Sequence, residues 1–231
     1  TIQPYDATVR GVGRNFRALG GDPGVATYMN NVYSEDLLTA TAATFWDVQR
    51  IEVLRGPQGT RFGANALAGM INIKSNEATK ETEGYVAAKV GNYNAHSESA
   101  AISGAITDNV QGRLAINSFQ SDGYMENKFL DKENTNNLDE VVVRGKLAAQ
   151  VSEDTNLGLT YFYADIDNGY DAFSVENNRK TYSDEPGVDA QETHAFTLNL
   201  DTKLNNAVIL ESVLTTVKSD VEYRFDEDWA Y

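Results

Sequence analysis

The residues whose types and spacing allow chemistry are concentrated between Arg50 and Ser75, in the sequence RIEVLRGPQGTRFGANALAGMINIKS. Polar and apolar residues alternate on both sides of a glycine-rich centre, which predicts a strand, a turn and a second strand. Proline in the turn has no N–H for a β-ladder, and glycine permits positive φ or a close backbone approach. Charged side chains on such strands can form ion pairs that hold the element against a neighbour. The residues concerned are Arg50, Glu52, Arg55, Gly56, Pro57, Gly59, Gly63 and Gly69.

Other kinds of chemistry find little support in the sequence. There are no cysteines, which excludes disulfides and thiolate ligands, and His96 and His194 lack partners at metal-ligand spacing. The glycines at 56–63 are not followed by the Lys-Ser/Thr pair of a phosphate-binding loop, and residues 11–13 lack the third glycine of a dinucleotide loop. We therefore expect no metal site, no nucleotide and no cofactor.

The chain is acidic: its 231 residues include 19 Lys and Arg against 34 Asp and Glu, for a formal net charge of −15. Nucleic acid is not an expected partner, since phosphate binding requires a basic surface. The sequence lacks the run of about 18 apolar residues that a transmembrane helix needs, but membrane barrel strands carry a much weaker hydropathy signal. The chain begins Thr1-Ile2-Gln3 without the features of a signal peptide, so we expect an internal fragment or a processed product.

The chain has two parts of different character. Residues 1–79 are rich in glycine and proline and contain short apolar stretches, which predict short strands, irregular connections and one short helix at Thr44–Val48. From about Glu83 onward, longer segments alternate between apolar and polar residues, which places one face in an apolar medium and the other in a polar one. These segments cover roughly residues 86–90, 97–106, 110–117, 140–151, 156–163, 196–200 and 207–221. Which face of the last segment is the apolar one is ambiguous.

The connections between these segments indicate which medium they meet. Short connections at 107–109, 152–155 and 202–206 alternate with long ones at 121–139 and 165–191. Barrels of the bacterial outer membrane have short turns on the periplasmic side and long loops outside. Aromatic residues near the segment ends fit the girdles of such barrels, and ordinary strand propensity accounts for them equally well.

The segment from Arg50 to Ser75 closely resembles the end of the plug domain of TonB-dependent outer-membrane receptors. Its Gly-Pro pair, spaced glycines and Ile-Asn-Ile ending follow that family's pattern over about twenty-five contiguous positions. Two earlier segments also resemble such plugs: Val9–Asn15, and Pro23–Tyr33, in which Asn30-Asn31 stands where Asp-Gly is usual. A tight turn remains possible there because Asn tolerates left-handed backbone. The segment Asp47–Arg50 continues the resemblance, with Gln49 in place of the usual Glu.

The resemblance implies an all-β dominated protein with two domains. Residues 1–79 would be the C-terminal part of the plug, with short mixed strands and little helix. Residues 80–231 would be about seven antiparallel strands of an incomplete transmembrane β-barrel, which in this family closes with about 22 strands. An open sheet leaves two unpaired edges in the bilayer, so we expect the natural protein to be longer at both ends.

The function implied by the resemblance is energy-coupled uptake through the outer membrane of a Gram-negative bacterium, without covalent chemistry. The implied partners are the TonB protein of the inner-membrane energy complex, outer-membrane lipid and a scarce small ligand. An iron chelate of the ferric siderophore class is expected, while cobalamin, haem, nickel chelates and oligosaccharides remain open. The coupling box that TonB binds is expected upstream of this chain.

Candidate functional residues follow from the same resemblance. Arg14, Arg17 and Tyr33 are the expected ligand contacts, because they lie in or beside the expected apical loops and two of them can bind an anionic chelate. Arg55 and Arg61 either anchor the plug to barrel carboxylates or take part in its rearrangement. Eight acids lie within residues 165–192, for which a solvated, self-repelling loop is expected and calcium binding is the alternative. The residues expected to shape the plug or contact the barrel are Arg10, Arg50, Glu52, Arg55, Gly56, Pro57, Gly59, Gly63 and Gly69.

A secreted or surface β-domain that binds carbohydrate, without transport, is the main alternative. It predicts that the apolar strand faces pack against a second sheet, and it gives no reason for the plug-like segment. An enzyme has little support, because nothing pairs carboxylates across a predicted cleft.

Overall fold

The computed structural model describes residues 8–12, 24–30, 32–33, 45–63, 65–171 and 173–228. The chain forms two compact units, one within residues 2–76 and the other within residues 77–231. Within the described ranges, nearly all regular structure is β-strand, and the only α-helix is the four-residue α1 (Gly59–Phe62). The predicted all-β dominated fold is therefore confirmed.

The first unit contains a mixed four-stranded sheet. Its strands are β1 (Val25–Met29), β2 (Val32–Tyr33), β3 (Val48–Arg55) and β4 (Gly69–Ser75), in the order β2-β1-β4-β3. β1 runs parallel to β4, whereas the β1–β2 and β3–β4 pairs are antiparallel. The strand, turn and strand predicted for the plug-like segment are β3, a loop containing α1, and β4.

Of the short helix expected at Thr44–Val48, only Phe45 is helical among the described residues, in the 3₁₀ conformation. A turn follows at residues 46–47, and β3 already begins at Val48. Asp47 has a φ of +55°, which a right-handed helix does not allow. Its backbone carbonyl accepts a hydrogen bond from the Asn76 amide at 3.0 Å, and its Oδ1 accepts one from the Asn76 side chain at 2.7 Å. Tertiary contacts thus override local helix propensity here.

The second unit is built on a seven-stranded antiparallel sheet, as predicted. The seven strands are β5 (Glu83–Val90), β6 (His96–Thr107), β7 (Val110–Ser121), β9 (Leu138–Ser152), β10 (Thr155–Gly169), β12 (Val188–Asn205) and β13 (Val208–Arg224). Their order is β13-β12-β10-β9-β7-β6-β5, so strands that follow each other in this sheet pair as hairpins. Two further short strands, β8 (Glu126–Asn127) and β11 (Lys180–Thr181), form a separate parallel pair.

Short and long connections lie at opposite ends of this sheet. Turns at 108–109, 153–154 and 206–207 join strands at one end, and the connections 91–95, 122–137 and 170–187 lie at the other, called here the long-loop end. The last of these was expected to begin at 165. It begins later because β10 keeps its strand pairing beyond the apolar stretch, with Asp165 and Asp167 exposed and Ile166 and Asn168 buried.

The two faces of the seven-stranded sheet are reversed relative to those of a water-soluble protein. One face carries polar and charged side chains that are buried, among them Ser99, Arg113 and Thr193. The other face leaves apolar side chains exposed, with Ile102 59% and Leu114 52% accessible. A broad apolar surface of this kind is suited to hydrocarbon rather than water. In the part of the chain that the structure describes, no helix is long and apolar enough to cross a membrane.

Candidate functional site

Glycines shape the loop between β3 and β4 for two different reasons. Gly56 has a φ of +99°, a conformation that other residues rarely adopt, and its amide donates to the Ala68 carbonyl at 2.8 Å. At Gly69, a Cβ would lie 2.5 Å from the Leu54 carbonyl oxygen on β3. The loop therefore closes at its base only because these two positions carry no side chain.

Three aromatic rings join this loop to the β1–β2 hairpin. Tyr28 packs edge-on against Tyr33 and against Phe62, with a centroid distance of 5.6 Å in each case. The Tyr28 hydroxyl donates to the Phe62 carbonyl at 2.5 Å, and the Asn65 side-chain amide donates to the Tyr33 hydroxyl at 2.7 Å. Burial, with a smaller contribution from Tyr33, raises the pKa of Tyr28 above its usual value, so this phenol stays protonated as a donor.

The three expected ligand contacts have different outcomes. Tyr33 packs its ring against Tyr28 and accepts a hydrogen bond from Asn65, so in this structure it holds the hairpin to the plug loop. Its contact with a ligand remains a prediction. Arg14 and Arg17 lie outside the described residues.

Glu52 is the centre of a charged group on β3. Arg50 Nε donates to Glu52 Oε1 at 2.7 Å, and Asn72 Nδ2 on β4 donates to Oε2 at 3.1 Å. The hydrogen bond from Arg50 is the main reason that the pKa of Glu52 lies below its ordinary value, aided by Asn72 and by the charges of Arg50 and Lys74. The guanidinium of Arg50 also donates to the side chain of Gln49, the residue that replaces the usual glutamate.

The other expected motif residues are exposed in the first unit. Arg10 lies in a left-handed turn with a φ of +54°. Arg55 ends β3 with its side chain exposed, while the side chain of Arg61 lies outside the described residues. A contact of any of these residues with the barrel remains a prediction. The exposed turn residues are Pro57, Gly59 and Gly63.

Two residues from distant parts of the first unit hold its C-terminal end. Asn30 has a φ of +52°, the left-handed conformation that asparagine tolerates in a tight turn. The Ser75 amide donates to Asn30 Oδ1 at 3.0 Å, and Asn30 Nδ2 donates to Ser75 Oγ at 3.1 Å. Asp47 holds the next residue, Asn76, by the two hydrogen bonds described above. The last strand of the first unit is thus fixed at the point where the second unit begins.

A buried polar cluster, not anticipated from the sequence, ties the two long connections together. Asp171 Oδ1 accepts a hydrogen bond from the Gly187 amide at 2.8 Å, and its Oδ2 accepts from the Thr135 hydroxyl and from Asn127 Nδ2, the latter at 3.3 Å. Asn127 Nδ2 also donates to the Ser183 carbonyl at 2.8 Å. Asn127 is separated by 44 positions from Asp171 and by 56 from Ser183, so no local pattern could have signalled the cluster.

Tyr93 joins the third connection of the long-loop end, residues 91–95, to the connection 170–187. Arg179 donates to the Tyr93 hydroxyl at 2.6 Å, and its guanidinium carbon lies 5.8 Å from the ring centroid. The ring of Tyr124 lies 6.2 Å from that of Tyr93. All three side chains are exposed at the long-loop end, where a cation and two aromatic rings can bind an anionic, planar group.

The acids of residues 165–192 do not form the uniformly solvated loop expected. Asp165 and Asp167 belong to β10, and Asp171 and Asp189 are buried. Both carboxylate oxygens of Asp171 accept hydrogen bonds from protein donors, as described above. Over the described ranges, no three His, Cys, Asp or Glu side chains are placed to hold a metal ion, so the calcium alternative gains no support there.

Comparison with known proteins covers both units. A family model described as the TonB-dependent Receptor Plug Domain matches residues 3–70. The pesticin receptor of Yersinia pestis is 34% identical over 107 residues, which are 46% of this chain and 16% of that protein. The vitamin B12 transporter of Vibrio vulnificus is 24% identical over 140 residues, which are 59% of this chain and 23% of that protein. The chain therefore spans less than a quarter of the length of either relative.

A solved structure extends the similarity to the seven-stranded sheet. The crystal structure of the ferric yersiniabactin uptake receptor from Yersinia pestis superimposes with a TM-score of 0.76 at 21% identity, covering 92% of this chain and 35% of that chain. The match includes the sheet whose apolar face is exposed as well as the plug-like sheet before it. Residues 3–70 therefore match the plug domain of TonB-dependent receptors, and the chain as a whole has the fold of the corresponding part of such a receptor.

Proposed function

We propose that the receptor containing this chain takes up a ferric siderophore across the outer membrane, driven by the TonB protein. Residues 1–79 act as the C-terminal part of the plug, and residues 80–231 form the first barrel strands. The partners are the siderophore on the outside, the TonB protein on the inside and membrane lipid around the exposed apolar face. No covalent step is part of this function.

The observation that carries the proposal is the order of the two units. A sheet closed by the glycine loop of a plug is followed directly by a sheet with a buried polar face and an exposed apolar face. A plug is useful only where it obstructs a pore, and a reversed sheet is stable only in a bilayer. The ligand class is supported by one of the similar proteins named above, the ferric yersiniabactin uptake receptor.

We propose ligand contacts on each of the two units separately. Arg14, Arg17 and Tyr33 remain the proposed contacts from the plug. Tyr93, Tyr124 and Arg179 are added from the barrel side, since they present aromatic rings and one cation at the outer rim. A negatively charged chelate with aromatic iron ligands would be bound by both kinds of group.

The alternative of a carbohydrate-binding surface domain gains no specific support. It requires the apolar face of the seven-stranded sheet to be covered by a second sheet. Among the described residues, Ile102, Leu114, Leu147 and Leu198 on that face are exposed. The similar proteins named above are receptors and transporters rather than enzymes.

The test is iron uptake in the bacterium that carries the gene. Deletion should abolish uptake of radioactive iron from one siderophore of a panel, and a plasmid copy should restore it. A protonophore, or loss of TonB, should stop that uptake while a porin-dependent nutrient still enters. Unchanged uptake from every siderophore would contradict the ligand class, and recovery of the protein in the soluble fraction would contradict transport itself.

A further inference from the structure

A row of polar residues crosses the buried face of the seven-stranded sheet. Each member is in register with the next on the neighbouring strand, so one polar side chain comes from every strand. Two adjacent members, Arg113 on β7 and Lys146 on β9, are both cations. The row consists of Glu83, Ser103, Arg113, Lys146, Thr160, Thr197 and Thr215.

The two cations should repel each other unless anions lie close to both. Like charges directly opposite on neighbouring strands are destabilising, more so where water is excluded. The side chains of Arg113 and Lys146 are only 4% and 6% exposed. Burying two adjacent positive charges on a strand pair therefore requires a specific source of negative charge.

That negative charge comes from the first residues of the second unit, 77–83, called here the anchor segment. Glu77 Oε1 lies 2.9 Å from Lys146 Nζ, and Glu83 Oε1 lies 3.3 Å from Arg113 Nη1. Glu83 reaches Arg113 past the small side chain of Ser103, which separates them in the row. The backbones at Glu83 and Arg113 are two strand spacings apart, about 10 Å. Their long side chains can meet across this distance because Ser103, which lies between them, is small.

Backbone and hydroxyl groups hold the middle of the anchor segment to the same place. The Thr79 amide donates to Ser103 Oγ at 2.9 Å, and Ser103 Oγ donates to the Gly112 carbonyl at 3.1 Å. Further along, the Ala105 amide donates to the Lys80 carbonyl at 3.2 Å. The segment is therefore bound at its start, middle and end to three neighbouring strands.

We propose that the polar row of Ser103, Arg113 and Lys146 is a fixed anchor for the segment joining plug to barrel. During transport the anchor segment stays bound, so that plug movement is confined to residues before Glu77. The inference rests on the proposed transport function. It assigns these three residues, with Glu77, Thr79 and Glu83, a positioning role: they keep the end of the plug attached to the wall while the rest rearranges.

A reversible crosslink tests whether the segment stays bound. This chain has no cysteines, so Thr79→Cys with Ser103→Cys, in the full-length receptor with any other cysteines replaced by serine, places one disulfide across the anchor. The two side-chain oxygens lie 3.0 Å apart, which suits a disulfide. We expect the oxidised and reduced receptors to transport at the same rate. Transport that stops on oxidation and returns on reduction would overturn the proposal.

Neutral substitutions test the charges without requiring that the ligand be known. Glu77→Gln and Glu83→Gln should each loosen the anchor, because a buried cation loses a carboxylate partner, and should raise entry of a large antibiotic about tenfold. Glu81→Gln is the matched control, because this exposed glutamate of the same segment uses its backbone carbonyl, not its side chain, to accept from Thr79. Equal entry in all three variants would overturn the proposal.

A charge exchange separates anchoring from a simple folding defect. Lys146→Glu alone should leak or fail to assemble, and adding Glu77→Lys should restore the barrier, since the pair is re-formed with opposite polarity. The anchor would be contradicted if the double variant did not restore the barrier and Glu77→Gln alone did not raise antibiotic entry. The leak is measured without any siderophore, so a receptor that leaks as expected but imports no siderophore would contradict the proposed ligand and leave the anchor standing.

Discussion

At the scale of single residues, Asn30 explains why an asparagine fits where plugs of this family usually carry aspartate. Its left-handed backbone and its amide serve different purposes: the φ of +52° makes the hairpin turn, and the side chain binds Ser75. We predict that Asn30→Gly keeps the turn but exposes the Ser75 amide, at a local cost of about 1–3 kcal/mol for the lost hydrogen bonds. Asn30→Asp keeps the acceptor and should protect that amide. Hydrogen exchange at Ser75 in the intact receptor is the measurement, and equal exchange in all variants would contradict the assignment.

Glu52 gives a pH prediction with a definite sign. Its pKa is lowered from the ordinary 4.5, chiefly by the hydrogen bond from Arg50. A carboxyl whose folded-state pKa is depressed contributes stability above the ordinary pKa and loses it as the pH falls through the lower folded value. We therefore expect Glu52→Gln to weaken the dependence of stability on pH below 4.5.

The pKa itself can be read by NMR titration of the Glu52 carboxyl carbon. Arg50→Met should move the pKa back toward its ordinary value, because it removes both the hydrogen bond and the charge. Asn72→Ala should move it less, since Asn72 contributes a weaker hydrogen bond at 3.1 Å. A pKa that does not respond to Arg50→Met would contradict this account.

At the scale of elements, the cluster around Asp171 determines whether the long connections have a fixed shape. Asp171→Ala removes the acceptor for three buried or partly buried donors, at about 1–3 kcal/mol for each group left unsatisfied. We predict that residues 122–137 and 170–187 become sensitive to protease added outside intact cells, while the strands stay resistant. Asp184→Ala is the matched control, because Asp184 is an exposed acid of the same connection. Equal sensitivity of the two variants would count against the cluster.

The glycine loop offers a second test at this scale, with two glycines of one motif as a matched pair. Gly69→Ala puts a Cβ 2.5 Å from the Leu54 carbonyl, whereas a Cβ at Gly59 meets no atom within 4 Å. Overpacking of this kind costs about 1–3 kcal/mol or forces the β3–β4 pair apart. We predict that Gly69→Ala lowers the yield of folded receptor and that Gly59→Ala does not. The heat-modifiable band on a gel measures that yield.

The elements also show which features sequence patterns can predict. β3, β4 and the seven long strands were predictable because two-residue periodicity and turn residues are local properties of the chain. The helix expected at Thr44–Val48 does not extend past Phe45, because Asn76 fixes the backbone of Asp47 from 29 positions away. The role of Tyr33 in packing and the cluster around Asp171 were missed for the same reason: their partners are distant in sequence and adjacent only in the fold.

At the scale of the whole molecule, the reversal of the two sheet faces separates a membrane wall from a soluble domain. We predict that Leu114→Arg, on the exposed apolar face, reduces assembly into the outer membrane. A cation near the middle of the lipid face costs about 2–4 kcal/mol. Gln111→Arg is the matched control, because Gln111 lies on the same strand β7 with its side chain on the opposite, polar face.

Assembly is measured as the fraction of each variant in the outer membrane that shows heat-modifiable mobility. In a membrane wall the arginine of Leu114→Arg faces hydrocarbon and assembly falls, whereas that of Gln111→Arg faces the polar side and is tolerated. In a soluble carbohydrate-binding domain the apolar face packs against a second sheet, so Leu114→Arg would bury a charge and lower the yield of folded protein. The folded Gln111→Arg protein separates the two hypotheses, because it fractionates with the outer membrane in the first and remains soluble in the second. A soluble, correctly folded Gln111→Arg variant would therefore contradict the receptor assignment at its physical basis, the medium that surrounds the sheet.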